Sequence, residues 1–170
     1  MASWLTAGRR SPLRIVRRLR EVFQGPGDIR FSLQLAHFIW RLPDRLDRQP
    51  LPTLLETLRA APRPRAADLR ASVARIDRLS RPWFATLFPA RNTCYVRSLM
   101  FCRFADACGT VLRVHFLVEP RRDGADRLRG HAWVSAGDEF CEAPGPDVLA
   151  RAKRFYTYPP DTDAAADDGA

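Results

Sequence analysis

The apolar residues of this chain change period once, near Gly109, and that change limits the possible folds more than anything else in its 170 residues. Before it they recur every three or four positions, as on a helix. After it they alternate or run together, as on strands. The last helical run is the clearest. Over Thr93–Cys108, the residues Val96, Leu99, Met100, Phe104 and Ala107 fall on one stripe, with Asn92 or Thr93 able to cap the start and Gly109 expected as the C′ residue. Val111–Val118, rich in β-branched and aromatic residues, predicts a buried strand. Arg121–Arg129 is a charged loop with Gly124 at its tip. His131–Ala136 and Glu139–Ala143 predict two short strands turning around Gly137-Asp138. A helix followed by three strands predicts an α+β fold, one helix packed on a small antiparallel sheet.

The first half is expected to be helical throughout. Ser11–Phe23 has the spacing of a basic amphipathic helix through Leu13, Val16, Leu19 and Val22, and Gln24–Asp28 breaks it. A second helix is predicted over about Ile29–Leu42, ended by Pro43 and Asp44, and a third over Pro52–Arg59. Ala60–Arg65, with two prolines, reads as a linker. Ala66–Leu79 returns to helical period, with Asp68 placed to favour the dipole at its start. The expected division is a helical region over residues 1–80, a second domain over 81–158 and a disordered tail over 159–170.

Composition removes several classes of function. Hydrophobic residues make up 46% of the chain, enough for a core. The net charge of +9 is almost all arginine, Lys153 being the single lysine. Such a charge suits an acidic peptide, a nucleic acid or a membrane surface, but solvated helix faces are the simpler reading. No dense basic block alternates with stacking aromatics, which argues against nucleic acid. Phe31–Leu42 is too short and too polar to span a bilayer, and no secretory signal is visible, so a cytoplasmic, reducing location is the expectation. The four cysteines, Cys94, Cys102, Cys108 and Cys141, form no C-x-x-C pair, and neither a metal nor another cofactor is expected.

One of those cysteines stands apart. Cys94 falls in the first turn of its helix, where unpaired N–H groups and the helix dipole favour a thiolate and offer an oxyanion donor. Cys102 and Cys108, further along, fit buried and inert thiols. Of the three histidines, His37 and His115 sit within a helical and a strand pattern and are expected to be packing residues. His131 opens a strand. A turn at Gly137-Asp138 would pair Trp133 with Glu142 and His131 with Pro144, so that Glu142 lies diagonal to His131 on the face shared by His131, Trp133 and Ser135. A carboxylate there can hold an imidazole in the tautomer a base needs. Asp138 is the competing carboxylate, although it suits the turn itself.

The stretch Asn92-Thr-Cys-Tyr-Val-Arg-Ser-Leu99, the glycine at 109, the strand through Phe116-Leu-Val118 and the run Gly130-His-Ala-Trp-Val134 together resemble the transglutaminase-like domain of lasso-peptide leader peptidases. The resemblance covers roughly residues 80–150. It implies a papain/transglutaminase-like core and a cysteine peptidase that removes the leader from a ribosomally made precursor peptide. Its nucleophile would be Cys94, its base His131 and its third member Glu142, where the family more usually has an aspartate. Arg97 matches the family's arginine one turn after the cysteine. The resemblance also implies a precursor peptide as substrate and a small, separate leader-recognition protein as partner. Acyl transfer to an amine, or an inactive peptide-binding module, would use the same residues.

Overall fold

The computed structural model describes residues 22–63, 66, 68–107, 109–120, 128–137, 139–141, 145 and 155–160. The predicted helix at Ser11–Phe23, Cys108, the charged loop at Arg121–Arg129 and the tail over 159–170 lie outside them in whole or in large part. Among the described residues four α-helices precede a four-stranded antiparallel sheet: α1 (Pro26–Arg48), α2 (Leu51–Ala60), α3 (Leu69–Thr86), a 3-10 turn (Pro89–Arg91), α4 (Cys94–Phe104), β1 (Leu112–Pro120), β2 (Leu128–Ala136), β3 (Glu139–Phe140) and β4 (Phe155–Tyr158). The strand order is β3-β2-β1-β4. The α+β class expected from the change of period is the fold observed.

Two helices run further than the sequence predicts. α1 continues past Pro43 to Arg48, and α3 runs past Leu79, through Pro82, to Thr86. A proline inside a helix has no N–H for the carbonyl four residues back. For Pro43 that carbonyl belongs to Ile39, and Arg91 fills the vacancy: its Nη1 donates to the Ile39 carbonyl at 2.8 Å and to the Trp40 carbonyl at 2.9 Å. A tertiary contact thus supplies what the local sequence lacks. Asp68 caps α3, its carboxylate accepting from the Ala71 N–H at 2.7 Å.

α4 is shorter than predicted. It stops at Phe104, with the Ala105 N–H bonded to the Phe101 carbonyl, so Gly109 is not its C′ residue. Gly109 instead takes a positive φ of 93° in the turn that leads into β1. Nor is α4 amphipathic. Ser98, Leu99, Met100, Phe101 and Cys102 are buried in succession, which a single stripe does not allow. It is the central helix. One face meets α1, where Phe104 packs edge-on against Phe31 and Phe38 at 5.6 and 5.4 Å between ring centroids. Another lies on the sheet through Leu112, Val114, Val134 and Ala136, and all of these residues share one hydrophobic core with Leu54, Leu55, Leu58, Ile76 and Leu79 of α2 and α3.

The sheet holds one predicted register and one strand that was not predicted. Ser135 pairs with Phe140 and Ala136 with Glu139, the alignment set by a turn at Gly137-Asp138, and the Cys141 N–H continues it onto the Val134 carbonyl at 2.8 Å. Gly137 has the positive φ, 57°, that such a turn requires. β4 pairs with the other edge of β1, Phe116 opposite Tyr156. Its Phe-Tyr-Thr-Tyr run is of the aromatic and β-branched kind that favours strands.

Candidate active site

Cys94 is the first residue of α4. Thr93 is its N-cap, with Oγ1 accepting from the Val96 N–H at 3.3 Å. The segment ahead is tied down twice: the Thr93 N–H donates to the Arg91 carbonyl at 2.8 Å, and the Arg91 side chain is bound to α1 as described. The start of α4 is therefore held by capping and by a tertiary anchor, and the thiol is half-exposed there.

The thiol donates to the carbonyl oxygen of Gly130, Sγ to O 3.9 Å. That oxygen belongs to the peptide unit joining Gly130 to His131. Strand carbonyls lie in the plane of their sheet, so a sulfur bonded to one sits beside the strand rather than under a face. β3 pairs only with Ser135 and Ala136, which leaves Gly130 and His131 with no strand on that side among the described residues. The helix N-terminus has moved into this open edge.

Side chains alternate along β2. Val134 and Ala136 face the helices, while His131, Trp133 and Ser135 share the opposite face. On that second face Leu117 and Trp133 form a small separate apolar cluster, and His131 stands opposite Leu117. A sulfur at the strand edge lies between the two faces, within one peptide unit of the His131 backbone. The structure thus brings together the strand position of His131 and the helix position of Cys94. Asp138 and Glu142 lie outside the described residues.

His115, expected to be a packing residue, anchors the second face. Its ring stacks on Trp133 at 5.3 Å and 17°, its Nε2 lies 2.9 Å from Ser135 Oγ, and its Nδ1 lies 3.1 Å from Thr157 Oγ1. Burial, reinforced by Arg113, pushes its pKa below the ordinary 6.5. The hydroxyl on β4 could not be paired with this ring from sequence, because β4 returns to β1 across a long connection.

The other thiols contrast with Cys94. Burial pushes Cys102 up to about 11 and Cys141 up to about 12, so both are protonated at neutral pH. Arg97, one turn after Cys94, binds Asp77 of α3 at 2.9 Å and lies over the Phe101 ring. It lines a small cavity of about 200 Å³ together with Asp77, Arg81, Phe84, Ala85 and Asn92. No group of three or more metal-ligating side chains occurs among the described residues. No described helix is long and apolar enough to cross a membrane.

Residues 31–156 match the transglutaminase-like superfamily domain. The chain belongs to the transglutaminase-like superfamily. The match begins in α1, well ahead of the stretch that carries the cysteine and histidine motifs, and it ends in β4, so it takes in the helices, the sheet and both edges of β1. Members of this superfamily are typically cysteine-based enzymes. No curated protein and no solved structure is significantly similar to the chain.

Proposed function

We propose that this protein is a cysteine peptidase that removes the leader from a ribosomally synthesised precursor peptide. The observation that carries the reading is the Cys94 sulfur at a helix N-terminus, 3.9 Å from the carbonyl of the peptide unit that leads into His131, in a chain of the transglutaminase-like superfamily. The half-exposed thiol is open to reagent and substrate, whereas Cys102 and Cys141 are buried.

In the proposed reaction His131 takes the Cys94 proton and the thiolate attacks a peptide carbonyl. Backbone N–H groups at the start of α4 stabilise the oxyanion. His131 then protonates the departing amine, leaving a thioester on Cys94. Water, losing a proton to His131, attacks the thioester, and the acid and the free thiol are regenerated. Glu142 is the proposed orienting carboxylate, with Asp138 as the alternative. A separate leader-recognition protein is the proposed partner. Acyl transfer follows the same path with an amine in place of the second water.

Two measurements test the reading. A thiol-reactive probe applied to the native protein at neutral pH should label Cys94 and leave Cys102 and Cys141 untouched. A neighbouring reading frame should encode a short precursor peptide, and mass spectrometry should show its cleavage by the wild type and none by Cys94→Ala. Cleavage that persists in Cys94→Ala would remove the nucleophile assignment. Equal labelling of all the cysteines, with no cleavage, would favour an inactive binding module.

A further inference from the structure

The far end of α4 carries an arrangement that the proposed chemistry does not use. Arg63, just after α2, and Arg103, in the last turn of α4, are fastened to each other's backbones. Arg63 Nη2 donates to the carbonyl of Cys102, the residue before Arg103, at 3.1 Å. Arg103 Nη1 donates to the carbonyl of Pro62, the residue before Arg63, at 2.8 Å. The exchange holds two like charges side by side, although Coulomb repulsion opposes that placement. Arg63 Nε is buried without a hydrogen-bond partner. Burial together with the charges of Arg63 and Arg45 pushes the Arg103 pKa down, the sign expected where a cation lacks a counter-ion.

Among the described residues neither Arg45, Arg63 nor Arg103 forms an ion pair. Two carboxylates on the flanking segments have other partners: Asp106 accepts from the Ala66 N–H at 3.0 Å, and Glu56 accepts from the Tyr158 hydroxyl. Guanidinium forks that are fixed in advance and short of acceptors match carboxylate oxygens in geometry and charge.

We infer that the Arg63–Arg103 clasp, with Arg45 beside it, is a docking site for the carboxylates of an acidic peptide segment. The inference rests on the peptide-processing reading for its choice of ligand. Nucleic acid is the other polyanion, but it calls for stacking aromatics along a basic track. Here the aromatic ring beside Arg103, Phe104, is buried in the core. The clasp lies nine residues from Cys94 on the same helix, roughly 14 Å at 1.5 Å per residue. An extended peptide needs at least about four residues for that distance, and more where it passes around the buried middle of the helix. An acidic side chain held at the clasp would therefore belong to the same substrate, beyond the bond cleaved.

The test is fluorescence anisotropy of a labelled hexaglutamate peptide with the full chain at low ionic strength, where such contacts are least screened. Wild type and Cys94→Ala should bind it alike, so loss of catalysis leaves this readout intact and the two claims fail separately. Hexaglutamine should not bind. Arg103→Gln and Arg63→Gln should each weaken binding about tenfold or more, the scale of one charged hydrogen bond. Arg45→Gln should weaken it severalfold; Arg45 is exposed, so this variant keeps the test valid if the clasp variants misfold. Hexaglutamate binding unchanged in Arg45→Gln and in any folded clasp variant would overturn the inference. So would a single-stranded oligonucleotide that binds more tightly than hexaglutamate and is lost in the same variants.

Discussion

Replacing Arg91 with alanine tests how α1 survives its internal proline. Arg91 Nη1 serves two carbonyls, Ile39 at 2.8 Å and Trp40 at 2.9 Å. The Ile39 oxygen is partly buried and lacks a helical donor because residue 43 is proline. A hydrogen bond from a charged donor to such a group contributes about 1.5–3 kcal/mol, while the more exposed Trp40 contact competes with water and adds little. Arg91→Ala should therefore destabilise the protein by about 2 kcal/mol. With Pro43→Ala in place the backbone regains an N–H aimed at Ile39. The same arginine substitution should then cost about 1 kcal/mol, a coupling of about 1 kcal/mol in the double-mutant cycle. Urea denaturation of the four proteins measures this, provided the m-values agree. If Arg91→Ala costs the same in both backgrounds, within about 0.3 kcal/mol, then Arg91 does not stand in for the missing N–H. Because Arg91 also anchors the segment before Thr93, probe labelling of Cys94 should fall in Arg91→Ala even at temperatures where the protein stays folded.

Asp28, 6% exposed, would have its pKa raised by burial, but the Gln24 N–H, Arg75 and Arg78 together hold it below the ordinary 3.8. Its contribution is thus present above 3.8 and lost as pH falls through the lower folded value. Asp28→Asn should cost about 2–3 kcal/mol at neutral pH by denaturant titration, and the gap from wild type should close in acid. His115 lies below 6.5 when folded, so the folded state takes up its proton later than the unfolded one. Stability tied to it is complete above 6.5 and falls as pH drops through the folded value. Thermal melts of His115→Gln should show a shallower loss over that window, and a slope identical to wild type would assign the loss to other groups. At Gly130 a methyl group would meet only the Leu117 carbonyl, at 3.6 Å, an ordinary contact. Gly130→Ala should fold and keep Cys94 labelling within about twofold, because the thiol binds the backbone oxygen; a large loss would mean that the missing side chain itself makes room for the sulfur.

What the sequence made legible was local. The capped start of α4 at Thr93, the favourable place of Asp68 at the start of α3, the hairpin register at Gly137 and the face shared by His131, Trp133 and Ser135 all follow from short-range backbone rules. What it hid was long-range. Pro43 looked like a helix end because the compensating arginine lies about fifty residues away. The stripe of apolar residues predicts an amphipathic α4, but Ser98 and Cys102, small enough to pack, continue the buried surface around the helix. β4 pairs with β1 rather than with β3, so no hairpin signal announced it. The same limit applied to the site: the motif residues could be placed on a helix and a strand, but the approach of the helix end to the open edge of β2 depends on β3 being only two residues long.

That burial all round gives α4 a mechanical consequence. A helix packed on one face can slide or tilt by repacking a stripe. One enclosed by α1, α2, α3 and the sheet must displace Leu99, Met100, Phe101 and Cys102 together, each 1% exposed or less. Core displacements of even one methylene's volume are felt at the level of kcal/mol, so the separation between its two ends is effectively fixed. Cys94 stands at one end and the Arg63–Arg103 clasp at the other. Any substrate that engages both must carry its anionic group at a set distance from the reacting carbonyl, since the protein cannot adjust that distance. Selectivity of this kind is read from spacing along the peptide, and it survives changes in the residues that lie between.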